Sequence, residues 1–253
     1  MLIEERRQHV LALLQQNGRV LVSELSETLG ISRITIRKDL DYLEERGLMR
    51  RTHGGALAPN GSALLDPSLK EKEHHQSREK QRIAEAAIKL IDHGQCVLLD
   101  SGTTTTAIAR GLRGLNRLTV VTNAVNIAGE LANTNFDVIL TGGMLRRNSF
   151  SLVGPQAEDT LREIHADVLF LGVDGFDPAV GITTPNVLEA RVNRAMVQAS
   201  SRVVVVCDST KFQRRSLALI APPTAIHTVI TDEGLAAGDA ETLRNAGIKI
   251  IIA

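Results

Sequence analysis

Four short segments gather the small and hydroxyl-bearing residues from which an anion cradle is built: Asp100-Ser101-Gly102-Thr103-Thr104-Thr105, Thr122-Asn123-Ala124, Thr141-Gly142-Gly143 and Gly172-Val173-Asp174-Gly175. The first holds the most chemistry. Its glycine permits a tight turn, and main-chain N–H groups and threonine hydroxyls at the start of a helix attract an anion such as phosphate. The same residues also make an ordinary Asp/Ser/Thr turn that caps the next helix, and residue types alone leave both readings open. The segment lacks the Lys-Ser/Thr ending of a nucleotide P-loop, and no Gly-x-Gly-x-x-Gly follows a strand, which argues against ATP and NAD. Lys211 could neutralise a phosphate or sit on a solvated turn. Arg146 and Arg147 could reach a pocket or pair with surface carboxylates. His74-His75 has neither the Cys nor the carboxylate spacing of a metal site and reads as solvated, so no metal is expected.

A second constellation is Ser32-Arg33-Ile34-Thr35-Ile36-Arg37-Lys38-Asp39-Leu40. At about 100° per residue, Ile36, Leu40 and Leu43 share one face of a helix. Ile34, Arg37, Lys38 and Asp41 fall on the opposite side, with Arg33 and Thr35 at its margins near the N-terminus. Such groups suit phosphates, guanine edges and thymine methyls, and a helix-turn-helix points the start of its second helix into the major groove. Arg50, Arg51 and His53, in the segment that follows, suit flanking backbone or minor groove. The plain alternative is a small helical bundle with a solvated basic face, since residues 1–58 carry nine basic against eight acidic side chains.

The elements that hold these residues can be read from periodicity. Val10, Leu13 and Leu14, then Val22, Leu25 and Leu29, then Ile36, Leu40 and Leu43 predict three short helices. Asn17-Gly18 closes the first, Ser23 can cap the second, and Gly30-Ile31-Ser32 turns into a third capped by Ser32. Residues 48–57 predict two short strands around a glycine turn, a wing. From 59 to 78 the chain is polar and turn-rich, an expected exposed linker between a domain at 1–58 and another at 79–253. There, apolar strands at 96–100, 118–123, 137–142, 168–174, 203–208, 227–232 and 249–252 alternate with helices near 79–91, 105–112, 125–132, 155–165, 187–200 and 240–246. Fully apolar strands separated by helices predict an α/β fold with a mostly parallel sheet covered on both faces.

Composition narrows the class without choosing the function. The 253 residues carry 29 basic and 29 acidic side chains, so overall charge offers no support for nucleic-acid binding and the local pattern must supply it. Two cysteines, Cys96 and Cys207, in or beside apolar runs fit reduced core positions and a cytoplasmic setting. The start of the chain lacks the order of a signal peptide, and no apolar run is long enough for a membrane helix.

The first helix with Arg6, Val10 and Leu14, the segment Ser32 to Leu40 at its spacing, and the glycine wing together resemble the DeoR family of bacterial sugar-catabolism regulators. Residues 79–253 resemble that family's C-terminal domain through 100–105, Val121-Thr122-Asn123, Thr141-Gly142-Gly143, 171–174 and Asp208-Ser209-Thr210-Lys211-Phe212. That domain is similar to ribose-5-phosphate isomerase, which implies a sugar-phosphate pocket. The resemblance places Ser101, Gly102, Thr103 and Thr104 in the phosphate loop, Asp174 and Asp177 in an acidic segment, Glu189 at the position of the isomerase's general base, and Lys211 after Asp208. Asp100, Thr105, Thr122, Asn123, Gly142 and Gly143 complete the expected effector site.

The isomerase has a lysine in the stretch matching Gly181-Ile182-Thr183-Thr184-Pro185-Asn186, where this sequence has none, so ligand binding without turnover is expected, with no catalytic residue and no cofactor. The alternative is a sugar-phosphate isomerase fused to a DNA-binding unit. Within the family, 169–174, 189–194 and 208–212 look most like regulators of amino-sugar use, implying an amino-sugar phosphate or tagatose phosphate effector. The expected partners are double-stranded operator DNA and a second copy, as homodimer or tetramer, because such units read paired half-sites; no membrane is expected.

Overall fold

The computed structural model describes residues 3–17, 19–46, 48–52, 54–57 and 66–253, which fall into two compact units, Met1–Leu65 and Asp66–Ala253. In the first unit, α1 (Ile3–Asn17), α2 (Val22–Leu29) and α3 (Arg33–Glu45) bury Val10, Leu14, Leu25, Ile36, Leu40 and Leu43 against one another. The wing is larger than expected. Strand β1 (Arg19–Leu21) joins β2 (Arg50–Thr52) and β3 (Gly55–Leu57) in an antiparallel sheet of order β1-β3-β2. Gly55 allows this approach, because a Cβ there would lie 1.9 Å from the Val20 carbonyl oxygen.

The caps differ in part from expectation. Helix α2 begins at Val22, whose N–H donates to the Gly54 carbonyl at 2.9 Å, so Ser23 lies inside the helix rather than capping it. Strand β1 runs straight into α2 through an extended Leu21, which leaves Ser23 no N-cap position. Gly30 ends α2 with φ of 63°, the left-handed conformation glycine supplies readily, and Ser32 caps α3 by accepting from the Thr35 N–H at 3.2 Å. Asp39 is buried on α3 between two arginines of α1, 2.5 Å from Arg6 Nε and 3.1 Å from Arg7 Nε. Arg7 and Arg46 both stack on the Tyr42 ring.

The second unit begins with α4 (Leu69–Glu73) and α5 (Ser77–Ile88). Then follow β4 (Cys96–Leu99), α6 (Thr103–Gly111), β5 (Thr119–Thr122), α7 (Val125–Leu131), β6 (Asp137–Leu140), β7 (Met144–Arg146) and β8 (Ser151–Val153). After α8 (Pro155–Arg162) come β9 (Val168–Leu171), β10 (Gly175–Asp177), β11 (Gly181–Thr184), α9 (Val187–Gln198), β12 (Val203–Val206), β13 (Ala218–Ala221), β14 (Thr228–Thr231), α10 (Ala237–Asn245) and β15 (Lys249–Ile252). Seven strands form one parallel sheet of order β15-β14-β12-β9-β4-β5-β6, the seven the sequence predicts. A β7–β8 hairpin and an antiparallel β10-β11-β13 sheet are additions.

Alternate residues of each central strand feed two cores. Leu98, Leu169 and Val205 pack with Leu161, Val192 and Met196 on one face, while Val97, Leu99, Phe170 and Val204 pack with Ile83, Ile108 and Ile127 on the other. From β4 the strand order runs to β5 and β6 on one side and to β9, β12, β14 and β15 on the other, so the order reverses beside β4. In open α/β sheets ligands bind outside the strand ends at such a reversal.

The stretch expected as an exposed linker divides. Residues 58–65 lie outside the described residues, whereas Asp66 onward is built into the second unit. Helix α4 has a capping box, in which Ser68 Oγ accepts from the Glu71 N–H and Glu71 accepts from the Ser68 N–H at 2.8 Å. The Leu69 N–H donates to the Asn148 carbonyl at 2.6 Å. Charged composition there reflects ion pairing with the sensor unit rather than solvation alone. Among the described residues no helix is long and apolar enough to cross a membrane.

Candidate functional site

A cleft of the second unit opens over the carboxyl ends of β4, β9 and β12, adjacent in the sheet. Strand β4 leads into Asp100, Ser101 and Gly102 and then into the first turn of α6; β9 leads to Gly172 and Asp174; β12 leads to Cys207 and Asp208, all lining the cleft. Gly102 sits at the N-cap of α6 and offers no side-chain cap to the first N–H groups of the helix. The positive end of the helix and these donors favour an anion.

Three lysines enter the same cleft, Lys72 from α4, Lys80 from α5 and Lys211 from the turn after β12. Lys80 is buried and donates to the Lys72 carbonyl at 2.5 Å. Burial lowers its pKa to about 8; Asp208 opposes that shift, and the neighbouring Lys211 and Lys72 add to it. Lys72 Nζ is 2.6 Å from Asp174 Oδ1. Burial works against its charge, but Asp174, Glu189 and Asp66 outweigh burial and raise the Lys72 pKa.

Carboxyl groups of Asp100, Asp174, Glu189 and Asp208 also line the cleft. Burial with Glu189 nearby pushes Asp100 well above the usual carboxylate range, against the Ser101 N–H, so Asp100 favours the neutral form and can donate as well as accept. Burial alone would raise Asp174 too; Lys72, Lys211 and the Thr184 hydroxyl hold it below its ordinary value. Glu189 stands in the first turn of α9, where Asn186 caps the helix by accepting from the Leu188 and Glu189 N–H groups at 3.0 and 3.1 Å. Its carboxylate accepts from Ser151 at 2.9 Å and pairs with Arg146 at 2.6 Å, and Arg146 also pairs with Asp66. Arg146 therefore holds a cleft carboxylate, and Arg147 is exposed.

The structure brings Asp100, Ser101, Gly102, Thr103, Thr104, Asp174, Glu189 and Lys211 together. It does not bring in five residues predicted beside them. Thr105 donates to the Gly102 carbonyl within its own turn, and Thr122 donates to the Leu99 carbonyl at 2.7 Å. Asn123 is fully buried and donates to the Leu152 carbonyl. Gly142 and Gly143 have φ of 74° and 114°, and a Cβ at Gly143 would be 2.7 Å from the Val153 carbonyl oxygen, so both serve the turn into the β7–β8 hairpin. Asp177 pairs with Arg215 at 2.7 Å and accepts from the Ala179 and Val180 N–H groups in the β10–β11 turn. Lys72 and Lys80, from the predicted linker and its following helix, also line the cleft.

Sequence reasoning missed those two lysines. A signal for Lys80 existed, since it lies three and four residues before Ile83 and Ala84 and so shares the buried face of α5. Lys72 had none, because α4 is too short to show a period.

In the first unit, Arg33, Ile34, Arg37 and Lys38 are exposed on α3 and Thr35 is partly buried, its hydroxyl 2.9 Å from Ser32 Oγ at the cap. Arg51 is engaged within the protein. It donates to the Arg37 carbonyl and pairs with Asp41, while its own N–H donates to Glu44. Arg50 lies on β2, and His53 lies outside the described residues.

Residues 6–61 match the DeoR-like helix-turn-helix domain and residues 75–233 the DeoR C-terminal sensor domain. A protein of Escherichia coli O157:H7 assigned as the aga operon transcriptional repressor is 42% identical over 98% of this chain and 93% of its own length. The HTH-type transcriptional regulator GlpR of Haloferax volcanii is 39% identical over 99% and 98%. Ribose 5-phosphate isomerase A of Methanocaldococcus jannaschii overlaps 53% of each chain with a TM-score of 0.40 and 16% identity, a likeness too distant to speak for a ligand. With both of its domains matched in order and relatives aligned over nearly the whole chain, the protein belongs to the DeoR family and is a DNA-binding transcriptional repressor.

Proposed function

We propose that the protein represses a sugar or amino-sugar catabolic operon in the cytoplasm and leaves its operator when a phosphorylated sugar enters the cleft. The observation that carries this reading is that one cleft is lined both by the α6 N-terminus with Lys80 and Lys211 and by the carboxyl groups of Asp174, Glu189 and Asp100. The first group suits a phosphate and the second suits sugar hydroxyls or an amine. An amino-sugar phosphate or tagatose phosphate has both parts. DNA contact falls to Arg33, Ile34, Thr35, Arg37 and Lys38 on α3, with Arg50 and His53 as further candidates for contact. Arg51 keeps the wing in place. A homodimer or tetramer presents two such helices to paired half-sites.

The test is a gel-shift titration on DNA from upstream of the protein's own gene. Release by a phosphorylated sugar, with none by its dephosphorylated form, is the expected result. Equal release by both forms would remove the phosphate from the account.

A further inference from the structure

We propose that Lys72 is the residue an effector has to displace, and that effector binding thereby releases α4, through which the chain from the DNA-binding unit enters the sensor. This rests on the reading of the cleft as the effector site and adds the element that responds.

Space is the first observation. The cleft encloses about 60 Å³. Sites that bury a small organic ligand run to about 300–1,000 Å³. A second cavity of about 470 Å³ lies beside it. Leu69, Lys80 and Thr103 line both, Lys72 faces only the first, and Glu73 only the second. Helix α4 thus forms part of the wall between the two, with Lys80 and Thr103.

Chemistry is the second. Asp174 is a strong acceptor for a ligand hydroxyl or amine, and Lys72 already holds one of its oxygens while Thr184 donates to the other at 3.2 Å. A sugar whose phosphate rests on the α6 N-terminus competes with Lys72 for that carboxylate. The same phosphate attracts Lys80, whose ammonium otherwise donates to the Lys72 carbonyl.

Weak anchoring is the third. Helix α4 has five residues and buries none of them. A helix this short has little stability of its own. Its outward links include Leu69 to Asn148, Asn148 to the Asp66 carbonyl, Asp66 to Arg146, Glu73 to Arg110, Lys80 to Lys72 and Lys72 to Asp174. Effector binding removes the last two together. Residues released in this way join the connection to the DNA-binding unit and loosen its hold on a paired site.

Hydrogen exchange read by mass spectrometry on the full chain separates ligand binding from helix release. The probes are inorganic phosphate, galactosamine 6-phosphate and tagatose 6-phosphate. Inorganic phosphate is expected to protect 101–106 only, having nothing to offer Asp174. At least one sugar phosphate is expected to protect 101–106 and to speed exchange at 69–75 about tenfold or more. Lys72→Met is expected to speed 69–75 without ligand and to tighten sugar-phosphate binding, while Lys72→Arg keeps 69–75 slow. Protection of 101–106 by both sugar phosphates with 69–75 unchanged or slower would overturn displacement and leave the effector reading standing. Exchange at 69–75 that Lys72→Met does not alter, or weaker sugar-phosphate binding by that variant, would also overturn it. No protection of 101–106 by any probe would overturn the effector reading and this inference with it.

Discussion

Arg51 of the wing donates through Nη1 to the main-chain carbonyl of Arg37, 2.9 Å away, and its guanidinium lies 3.0 Å from Asp41. The strand β2 that follows α3 is thereby tied to that helix's own backbone inside the protein.

Arg51 and Arg37 should therefore fail differently. Arg37→Ala removes an exposed cation, so operator affinity falls and the slope of log K against log salt drops by about one if the lost contact is to phosphate. Arg51→Ala frees the wing, so affinity falls by about tenfold with the slope kept, since a positioning residue releases no counterion. Fluorescence titrations at several salt concentrations read both quantities. A slope reduced by Arg51→Ala as by Arg37→Ala would show that Arg51 contacts DNA directly.

Asp39 is the internal anchor of the same unit. Removing a buried carboxylate that serves two arginines leaves Arg6 charged and unpaired at the helix interface, a change that costs about 3 kcal/mol. Asp39→Ala should melt the helix-turn-helix unit first while the sensor unit keeps its own transition. A scanning calorimetry trace in which both transitions stay where they were would show that the pair contributes little.

Lys80 gives sugar-phosphate binding a pH signature. Its pKa stands at about 8, held down first by burial. A phosphate favours the charged form, so binding takes up a proton where the lysine is neutral. Affinity should be highest below pH 8 and decline as pH rises through that value, approaching about tenfold per pH unit, and Lys80→Met should flatten that limb. Isothermal titration in buffers of different ionisation enthalpy measures the proton uptake; none at pH 8.5 would exclude Lys80 as a phosphate ligand.

Much of this architecture was legible in the chain for physical reasons. The inner strands of the parallel sheet are covered on both faces, so they read as unbroken apolar, β-branched runs such as Val203-Val204-Val205-Val206. The loop 100–104 announced itself because strand ends and helix starts put glycine and hydroxyls where an anion can be met. Residues buried inside the fold, such as Thr122 and Asn123, look the same in sequence as those that face a cleft. Strand β1 and helix α4 are too short to show a period. Lys72 sits in a charge run that resembles a solvated surface, and only the fold shows that Asp174 draws it inward from 102 residues away in the chain.

The most direct test of the account is operator release by the protein in which both phosphate-facing lysines are neutral. Wild type should leave its upstream DNA on titration with a phosphorylated sugar and ignore the dephosphorylated sugar. Lys80→Met with Lys211→Met should still bind the same DNA and need about a hundredfold more of the compound for release, about 2.7 kcal/mol for two charge-assisted contacts. Release of the double variant at the wild-type concentration would contradict the placement of the phosphate at the start of α6.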